Sequence, residues 1–275
     1  MKILNKKILG STKDAGIVRI EILAPDIAKK ARPGQFVALM VSEEGERIPL
    51  TVVEKDAVKG AITLIFQVAG LTTKLLEKVN VGDDLYAIVG PLGHPTDIKK
   101  YGKVVIIGGG VGIAEIFPVA KAMKDAGNHV TTILGTRTKD LLFLEKELKS
   151  VSSEFYVTTD DGSYGRKGFV TDVLDELLKK DKYDLVYAVG PIPMMKRVAQ
   201  VTKPYNTKTL VSLNAIMVDA TGMCGCCRVD VGGKIRFSCV DGPEFDGHLV
   251  DWEGLTKRNR VYYDKEQHIC KLKQL

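Results

Sequence analysis

The sequence has 275 residues, of which 45% are hydrophobic and 27% charged, values that are ordinary for a folded globular protein. The length favours about two domains at roughly 150 residues per domain, and the composition excludes a disordered chain. Forty basic against 34 acidic residues give a net charge of +6 without a run of five like charges, which does not indicate a nucleic-acid-binding protein.

No membrane span or signal peptide is predicted. The longest apolar stretch, residues 104–123, contains Glu115, Pro118 and Lys121, so it is unsuited to a lipid-facing helix. The first ten residues, MKILNKKILG, lack the apolar core and small-residue cleavage site of a signal peptide. We therefore expect a cytoplasmic protein.

Residues 1–98 are predicted to form a β-rich domain. Gly16–Leu23 alternates apolar and polar residues, and residues 35–41 and 61–68 are short apolar runs. Turn-forming segments separate these runs, and residues 71–79 have the apolar spacing of one helix. Several short strands at this spacing predict an antiparallel β barrel or a sandwich.

From about residue 99 to residue 213, predicted strands alternate with predicted helices. Val104–Ile107 is a continuous apolar run, typical of a strand that is buried on both faces, and a helix follows to about residue 126. Further strands are predicted at 130–134, 155–158, 185–189 and 209–213, with helices at 139–148, 170–179 and from 191 to 201. This alternation predicts a doubly wound α/β domain with a parallel sheet.

The third part, residues 214–275, contains all five cysteines of the chain. Their number is odd and three of them lie within four residues, which does not resemble a disulfide framework. Metal ligation or redox chemistry explains this arrangement better.

Four potential metal ligands in this part have a characteristic spacing. Four, two and eleven residues separate them, close to the C-x4-C-x2-C run and distant fourth cysteine of plant-type ferredoxins, in the order Asp219, Cys224, Cys227 and Cys239. Thiolates are soft anionic ligands that suit iron, and Gly222 and Gly225 allow the loop to wrap closely around them. The spacing predicts a 2Fe–2S cluster, with a zinc site or unliganded thiols as the alternatives.

The two remaining cysteines are not predicted to be ligands. Cys226 falls between two predicted ligands and is expected to point away from them. Cys270 stands alone and is expected to behave as a small hydrophobic residue. The four histidines are scattered, so we assign them no chemistry.

Two glycine turns follow predicted strands of the α/β domain. Gly108–Gly110 and Gly112 lie between a strand and a helix, an arrangement that offers backbone N–H groups to a pyrophosphate. The last glycine comes one residue earlier than in G-x-G-x-x-G, so a packing turn is the alternative. The segment 190–195 follows a later strand, and ligands of doubly wound folds bind beyond such strand ends, so we expect a nicotinamide there unless the segment is a plain connection.

Further candidate contacts are weaker. Arg47 and Thr51, with Thr72 and Thr73 near a predicted helix start, combine groups that suit a second pyrophosphate. The segment 160–162, Asp-Asp-Gly, predicts a tight turn whose carboxylates are alternative ligands of ribose hydroxyls.

In this order the motifs resemble the ferredoxin–NADP reductase superfamily over nearly the whole chain. The sequence is similar to a branch that includes the electron-transfer subunit of dihydroorotate dehydrogenase and the small subunit of NADH-dependent ferredoxin:NADP oxidoreductase (Nfn type), also described as the sulfide dehydrogenase small subunit. Asp219 as first ligand, where the dihydroorotate branch has cysteine, and Glu115, where generic reductases have proline, resemble the Nfn type. One departure is that Ile48 occupies the place of the flavin-motif arginine, with Arg47 one residue further from Thr51.

The resemblance implies a flavin-binding barrel over residues 1–98, a nucleotide-binding domain over 99–213 and an iron–sulfur and partner-docking segment over 214–275. For FAD it implies Arg47, Pro49, Leu50, Thr51, Phe66, Gln67, Val68, Gly70, Thr72 and Thr73. For NAD(H) we expect Gly109, Gly110, Val111, Gly112, Thr136, Arg137, Asp160, Asp161, Gly190, Pro191 and Met194. The cluster ligands are the four already given, and no catalytic residue is expected beyond the cofactors.

The implied activity is electron transfer. Hydride passes between NAD(H) and FAD, and single electrons pass through the cluster to a larger subunit with another FAD and 4Fe–4S clusters, as in bifurcation between NADPH, NAD and ferredoxin. Three alternatives stay open: a dihydroorotate dehydrogenase electron-transfer subunit, a stand-alone NADH-dependent reductase of sulfur or polysulfide, and a zinc-stapled nucleotide-binding regulator. Local chemistry leaves NADP open because Arg137 suits a 2′-phosphate, whereas the family points to NAD.

Overall fold

The computed structural model describes residues 1–13 and 15–272, apart from the side chains of residues 267 and 270–272. The first part forms two antiparallel sheets that together make a barrel-like unit, with strand orders β1-β2-β6-β5 and β4-β3-β7. Its elements are β1 (Ile3–Ser11), β2 (Gly16–Leu23), α1 (Pro25–Lys30), β3 (Phe36–Met40), β4 (Ile48–Thr51), β5 (Glu54–Asp56), β6 (Ala61–Val68), α2 (Leu71–Lys78) and β7 (Ala87–Leu92).

Alternating residues of β2 and the continuous apolar run of β6 make the inner face of this unit. Val18, Ile20 and Ile22 are buried, and Ile20 pairs with the buried Leu64 on the antiparallel β6. The edge strand β1 has no clear sequence signal because only Ile3 among its nine residues is fully buried. Pairing with β2 therefore decides its conformation more than its own composition does.

The second part is an α/β unit. Its sheet has the order β11-β10-β9-β8-β12-β13-β16, and the six strands from this part run parallel. Its elements are β8 (Lys103–Gly109), α3 (Gly112–Asp125), β9 (His129–Thr136), α4 (Glu145–Ser150), β10 (Glu154–Thr159), β11 (Arg166–Lys167), α5 (Val170–Lys180), β12 (Leu185–Val189), α6 (Ile192–Thr202) and β13 (Thr209–Ser212).

The strand order places both predicted glycine turns at one point of the sheet. The chain proceeds from β8 outward through β9 and β10, then returns to β12 on the other side of β8. Val189 pairs with Gly108, so β8 and β12 end at the same edge. This is the topological switch point, where open α/β sheets bind their ligands.

The helix predicted over residues 139–148 is wrong in extent. Residues Lys139–Leu141 form a short 3-10 turn, and α4 begins only at Glu145. Leu141 and Phe143 are buried in the core, and Leu144 adopts a left-handed conformation with φ 55°. Burial of these side chains therefore determines the conformation of the segment, and its helical periodicity does not.

The third part continues the same sheet. Its elements are β14 (Arg228–Val231), β15 (Lys234–Phe237), β16 (Glu244–Asp246), α7 (Trp252–Asn259) and α8 (Tyr263–Leu272). β14 and β15 form a hairpin whose turn, Gly232-Gly233, has positive φ at both positions. β16 pairs antiparallel with β13, Phe245 opposite Val211, and this pairing fixes the cysteine-containing part against the α/β unit. None of the described helices is long and apolar enough to span a membrane.

Candidate functional site

A cavity of about 480 Å³ lies where the three parts of the chain meet. Many of its lining residues were predicted from the sequence: Pro49, Leu50, Thr51, Phe66, Gln67, Thr73, Gly109–Gly112, Gly190 and Pro191. Others were not predicted as binding residues: Phe36, Ser212, Asn214 and Met217 lie apart from the motifs, and Glu115 and Pro243 lie within motifs but were assigned no contact. We call this space the central cavity.

A second cavity of about 710 Å³ opens beside the first, over the carboxyl ends of the parallel strands. It is lined by the predicted residues Gly109, Gly110, Thr136, Arg137, Asp160, Pro191 and Met194, and by Thr158, Phe169 and Arg197, which no motif marked. The two cavities share Gln67, Gly109, Gly110 and Pro191. A group bound in this outer cavity therefore has direct access to a group bound in the central one.

Gly110, in the turn before α3, and Gly112, the first residue of α3, have different physical roles. A Cβ on Gly112 would lie 2.4 Å from the carbonyl oxygen of Val189, so only glycine allows α3 to approach β12 this closely. Gly110 has a φ of +56° and no atom within 4 Å of an added Cβ, because that position faces open space. The turn at Gly110 thus leaves room for a ligand to approach the start of α3, while the Gly110 N–H itself donates to the carbonyl oxygen of Gly135 at 2.9 Å.

Glu115 is a titratable group in the central cavity. It lies in the first turn of α3 and is half-buried. Burial raises the pKa of its carboxyl from 4.5 to about 7, and the nearby Thr51 hydroxyl opposes that rise. In the sequence Glu115 is a family marker, and it was not among the predicted binding residues.

A buried hydrogen-bond network joins the three parts of the chain next to this cavity. The Tyr187 hydroxyl on β12 donates to Glu244 Oε1 on β16 at 2.9 Å, and the Thr96 hydroxyl contacts the same oxygen. Burial raises the pKa of Glu244, and it raises the pKa of Tyr187 further, together with the nearby Glu244 charge. The neighbour of Glu244, Pro243, lines the central cavity.

Five predicted binding residues from the described part of the chain lie outside both cavities: Arg47, Val68, Gly70, Thr72 and Asp161. The Thr72 hydroxyl donates to Glu46 at 2.8 Å, and the Asp161 carboxylate accepts from the Ser163 hydroxyl at 2.7 Å within a turn. Val68 pairs with Gly16 in the sheet, and Gly70 precedes the first residue of α2. Arg47 reaches the cysteine-containing part and contacts Asp219.

Two of the predicted cluster ligands form a close pair. The Sγ atoms of Cys227 and Cys239 are 3.1 Å apart, and both side chains are buried. Burial and the neighbouring thiol raise the pKa of Cys239 to about 12, so iron binding as a thiolate must release the proton of this thiol to solvent. The other two predicted ligands lie on the exposed side: Cys224 is exposed and Asp219 is half-buried.

The predicted ligand set, three cysteines and one aspartate, consists of anionic donors that suit a 2Fe–2S cluster. Among the described residues, no group of three or more cysteine, histidine or carboxylate side chains converges on one metal position. A hydrogen bond from the backbone of Cys226 also lowers the pKa of Cys224, as suits a thiolate ligand.

Cys226, which was not predicted to be a ligand, lies in a pocket apart from this pair, but its thiol lies beside that of the predicted ligand Cys224, which does not fit the prediction that it points away from the ligands. Cys226 is half-buried and lines a separate pocket that also contains Arg258, which donates to the Cys226 carbonyl oxygen at 2.9 Å. The side chain of Cys270 lies outside the described residues, so its predicted role as a small hydrophobic residue stays a prediction.

Comparison with known families identifies two domains. The iron–sulfur cluster binding domain of dihydroorotate dehydrogenase B matches residues 214–251, a range that contains all four predicted ligands. The oxidoreductase NAD-binding domain matches residues 106–200, which include the glycine turn and most of the outer cavity.

Similar proteins cover almost the whole chain. A Thermotoga maritima protein described as the "dihydroorotate dehydrogenase B (NAD(+)), electron transfer subunit homolog" is 50% identical over 246 residues, 90% of this chain and 87% of that protein. A Clostridium beijerinckii protein described only as uncharacterized, in the adh 3′ region, is 46% identical over 274 residues, 96% of this chain and 91% of its own length.

Solved structures show similarity to this chain as well. A chain from the structure of the NADH-dependent reduced ferredoxin-NADP oxidoreductase, described in work on flavin-based electron bifurcation, is 47% identical with a TM-score of 0.91 and covers 97% of this chain and 95% of that chain. Ferredoxin-NADP+ reductase from Plasmodium falciparum, at 14% identity, a TM-score of 0.60 and coverage of 74% and 89%, shows the shared fold alone. The chain therefore belongs to the family of dihydroorotate dehydrogenase B electron transfer subunits and their homologues, with an NAD-binding oxidoreductase domain and an iron–sulfur cluster binding domain on a ferredoxin–NADP reductase fold.

Proposed function

We propose that this chain exchanges hydride with NAD(H) at an FAD in the central cavity and passes single electrons through a 2Fe–2S cluster to a larger partner subunit. A flavin accepts a hydride and releases its electrons singly, so it can join a two-electron carrier to a one-electron cluster. The chain supplies one site for each of these steps.

The observation that carries this proposal is the lining of the central cavity. Thr51 comes from the barrel, Gly110 from the nucleotide-binding turn, and Met217 from the segment that leads into the cysteine loop. A flavin ring in this cavity would contact the hydride donor on one side and the cluster-bearing segment on another. The shared wall at Gln67 and Pro191 gives the nicotinamide an entry from the outer cavity.

The residues of this chain have distinct tasks in the proposal. The open turn at Gly110 leaves room for the phosphates of a dinucleotide at the start of α3, and Thr136 and Asp160 contact its ribose in the outer cavity. Asp219, Cys224, Cys227 and Cys239 hold the cluster. Gly112 keeps α3 close to β12, so that the two turns stay side by side.

The partner that we propose is a larger subunit with another FAD and 4Fe–4S clusters, and the assembled complex would connect NAD, NADP and ferredoxin. The oxidoreductase chain of 47% identity covers nearly the same length, which supports the same set of parts here. Met223, which precedes the predicted ligand Cys224, is 88% exposed. Val218, which precedes the predicted ligand Asp219, is 53% exposed as well, and several exposed apolar residues around a cluster suit a docking surface.

An anaerobic absorption spectrum of the purified chain tests the proposal. We expect flavin and iron–sulfur bands, one FAD and two irons per chain, and bleaching when NADH is added. A colourless protein with one zinc ion per chain would remove both redox centres and favour the nucleotide-binding regulator.

A second measurement separates the enzyme classes. Robust polysulfide reduction by the chain alone would favour a stand-alone reductase. Co-purification with a dihydroorotate-oxidising subunit, with NAD reduction driven by dihydroorotate, would favour the dihydroorotate branch, to which the description of the Thermotoga relative refers. We expect neither result, and we expect ferredoxin and NADP reactions only with the larger subunit present.

A further inference from the structure

Arg47 and Asp219 form an ion pair between distant parts of the chain. Arg47 Nη1 lies 3.3 Å from Asp219 Oδ1 and 3.3 Å from the carbonyl oxygen of Asp219, across 172 positions of sequence. Both side chains are partly shielded, with 39% and 22% of their surfaces exposed. One guanidinium group thus binds both the backbone and the side chain of a predicted cluster ligand.

The rest of the Asp219 carboxylate is held from its own loop. Oδ2 accepts from the Thr221 backbone N–H at 3.0 Å and from the Thr221 hydroxyl at 2.5 Å, and the Met223 N–H lies 3.3 Å away. Oδ1 is the oxygen that faces Arg47. The orientation of the carboxylate is therefore set by the loop on one side and by the barrel on the other.

The position of Arg47 connects this ligand to the flavin side of the molecule. Arg47 directly precedes β4, and the strand residues Pro49, Leu50 and Thr51 line the central cavity. Arg47 itself does not line that cavity. Arg47 therefore joins the segment that leads into the cavity-lining strand β4 to Asp219.

We propose that Arg47 is a positioning residue for the cluster rather than a ligand of the flavin pyrophosphate. It fixes Asp219 as the carboxylate ligand, and its positive charge stabilises the extra electron of the reduced cluster. This inference rests on the proposed cluster site and goes beyond it, since it assigns a function to a residue of a different domain.

The charge effect has a definite sign. Reduction adds one negative charge to the cluster, and a cation a few ångströms from a ligand favours that state. Removing the guanidinium should therefore lower the reduction potential of the cluster. A loss of orientation at Asp219 should in addition change the electronic symmetry of the iron that it binds, which the EPR g-values report.

The test compares Arg47→Ala and Arg47→Lys with the unmodified chain, each purified anaerobically. The measurements are FAD and iron content per chain, the EPR spectrum of the reduced cluster, and its potential from an EPR-monitored redox titration. For Arg47→Ala we expect unchanged FAD content, altered g-values or a loss of iron, and a lower potential where iron is retained. For Arg47→Lys we expect altered g-values with a smaller fall in potential, because the charge remains while the two-contact geometry is lost.

Arg19→Ala is the matched control. Arg19 is an arginine of the same barrel that pairs with Glu54 at 3.4 Å, away from the cysteine loop, and its removal should leave all three measurements unchanged. Loss of FAD from Arg47→Ala with an unchanged cluster spectrum would overturn the proposal in favour of a pyrophosphate ligand. Unchanged FAD, g-values and potential would overturn it as well. If the unmodified chain contained no cluster, the proposed function itself would fail, and the two failures are therefore distinguishable.

Discussion

Thr51 and Glu115 lie close to each other across the boundary between the barrel and the nucleotide-binding unit, near enough for the Thr51 hydroxyl to lower the pKa of the Glu115 carboxyl. Thr51 ends β4 and Glu115 lies in the first turn of α3, and both line the central cavity. The contact places a carboxyl with a pKa of about 7 where the predicted flavin would bind. A group of this kind changes its charge close to physiological pH.

The stability of the chain should therefore depend on Glu115 in a defined pH range. Its pKa is 4.5 in an unfolded chain and about 7 in the folded one, so the folded form binds more protons between these values. The penalty for burying the charge is absent below pH 4.5 and grows as the pH rises towards 7. Relative to Glu115→Gln, the unmodified chain should lose of order 1–3 kcal/mol of stability between pH 5 and pH 8.

Thermal or denaturant unfolding of the nucleotide-free protein at both pH values measures this difference. Glu147→Gln, which removes the same charge from an exposed position on α4, serves as the control. Parallel stability curves for the unmodified chain and Glu115→Gln would contradict the raised pKa.

Gly110→Ala should impair ligand binding far more than it impairs folding. Gly110 and Gly127 both have positive φ and open space around an added Cβ, so alanine should cost each about 1 kcal/mol through backbone strain. Only Gly110 lines the cavities. We expect Gly110→Ala to lose FAD or NADH affinity at least tenfold, measured by fluorescence titration.

Gly127→Ala should lose as much stability as Gly110→Ala but should retain its affinities for FAD and NADH. Equal affinities in the two variants would show that the turn at Gly110 is a packing feature. Gly112→Ala is expected to lower the stability of the folded chain, because the added Cβ would clash with the Val189 backbone.

Removal of either member of the buried thiol pair should abolish the cluster. Cys227→Ser and Cys239→Ser should lose their iron and the visible absorption of the cluster, while FAD content stays near that of the unmodified chain. Cys226→Ser, altered in the same loop, should retain both, because Cys226 lies in a separate pocket. Iron and sulfide analysis measures the outcome, and loss of iron from Cys226→Ser would exclude the ligand set proposed here.

Nucleotide preference should depend on Asp160 more than on Arg137. Both line the outer cavity, and a carboxylate there favours ribose hydroxyls while opposing a 2′-phosphate. Asp160→Asn should weaken NADH binding roughly tenfold, about 1.4 kcal/mol, whereas Arg137→Ala should leave NADH turnover near its original level. Asp161→Asn, at a residue that contacts Ser163 outside the cavity, is the control for the turn.

Steady-state flavin reduction with NADH and NADPH measures these effects. An Arg137→Ala protein that lost NADPH turnover while it kept substantial NADH turnover would instead indicate a chain that evolved for the phosphorylated nucleotide.

Features set by neighbouring residues were predictable from the sequence. The buried strand Val104–Ile107, the glycine turn and the spacing from Asp219 to Cys227 each depend on contacts within about ten positions, so their residue pattern is sufficient. The fold class and the central cavity residues Thr51 and Gly190 followed from those patterns and from the family resemblance. The 3-10 turn at Lys139–Leu141 did not follow, because burial of Leu141 decided it.

Only the tertiary structure decided which distant side chains meet. The guanidinium of Arg47 is a group that suits a phosphate, and the folded chain brings it into an ion pair with Asp219. Glu244 resembles an ordinary surface glutamate in the sequence, but pairing of β16 with β13 buries it against Tyr187. The physical reason is that hydrophobic periodicity specifies which face of an element is buried, whereas charge pairing and the lining of a cavity depend on how those elements are finally packed together.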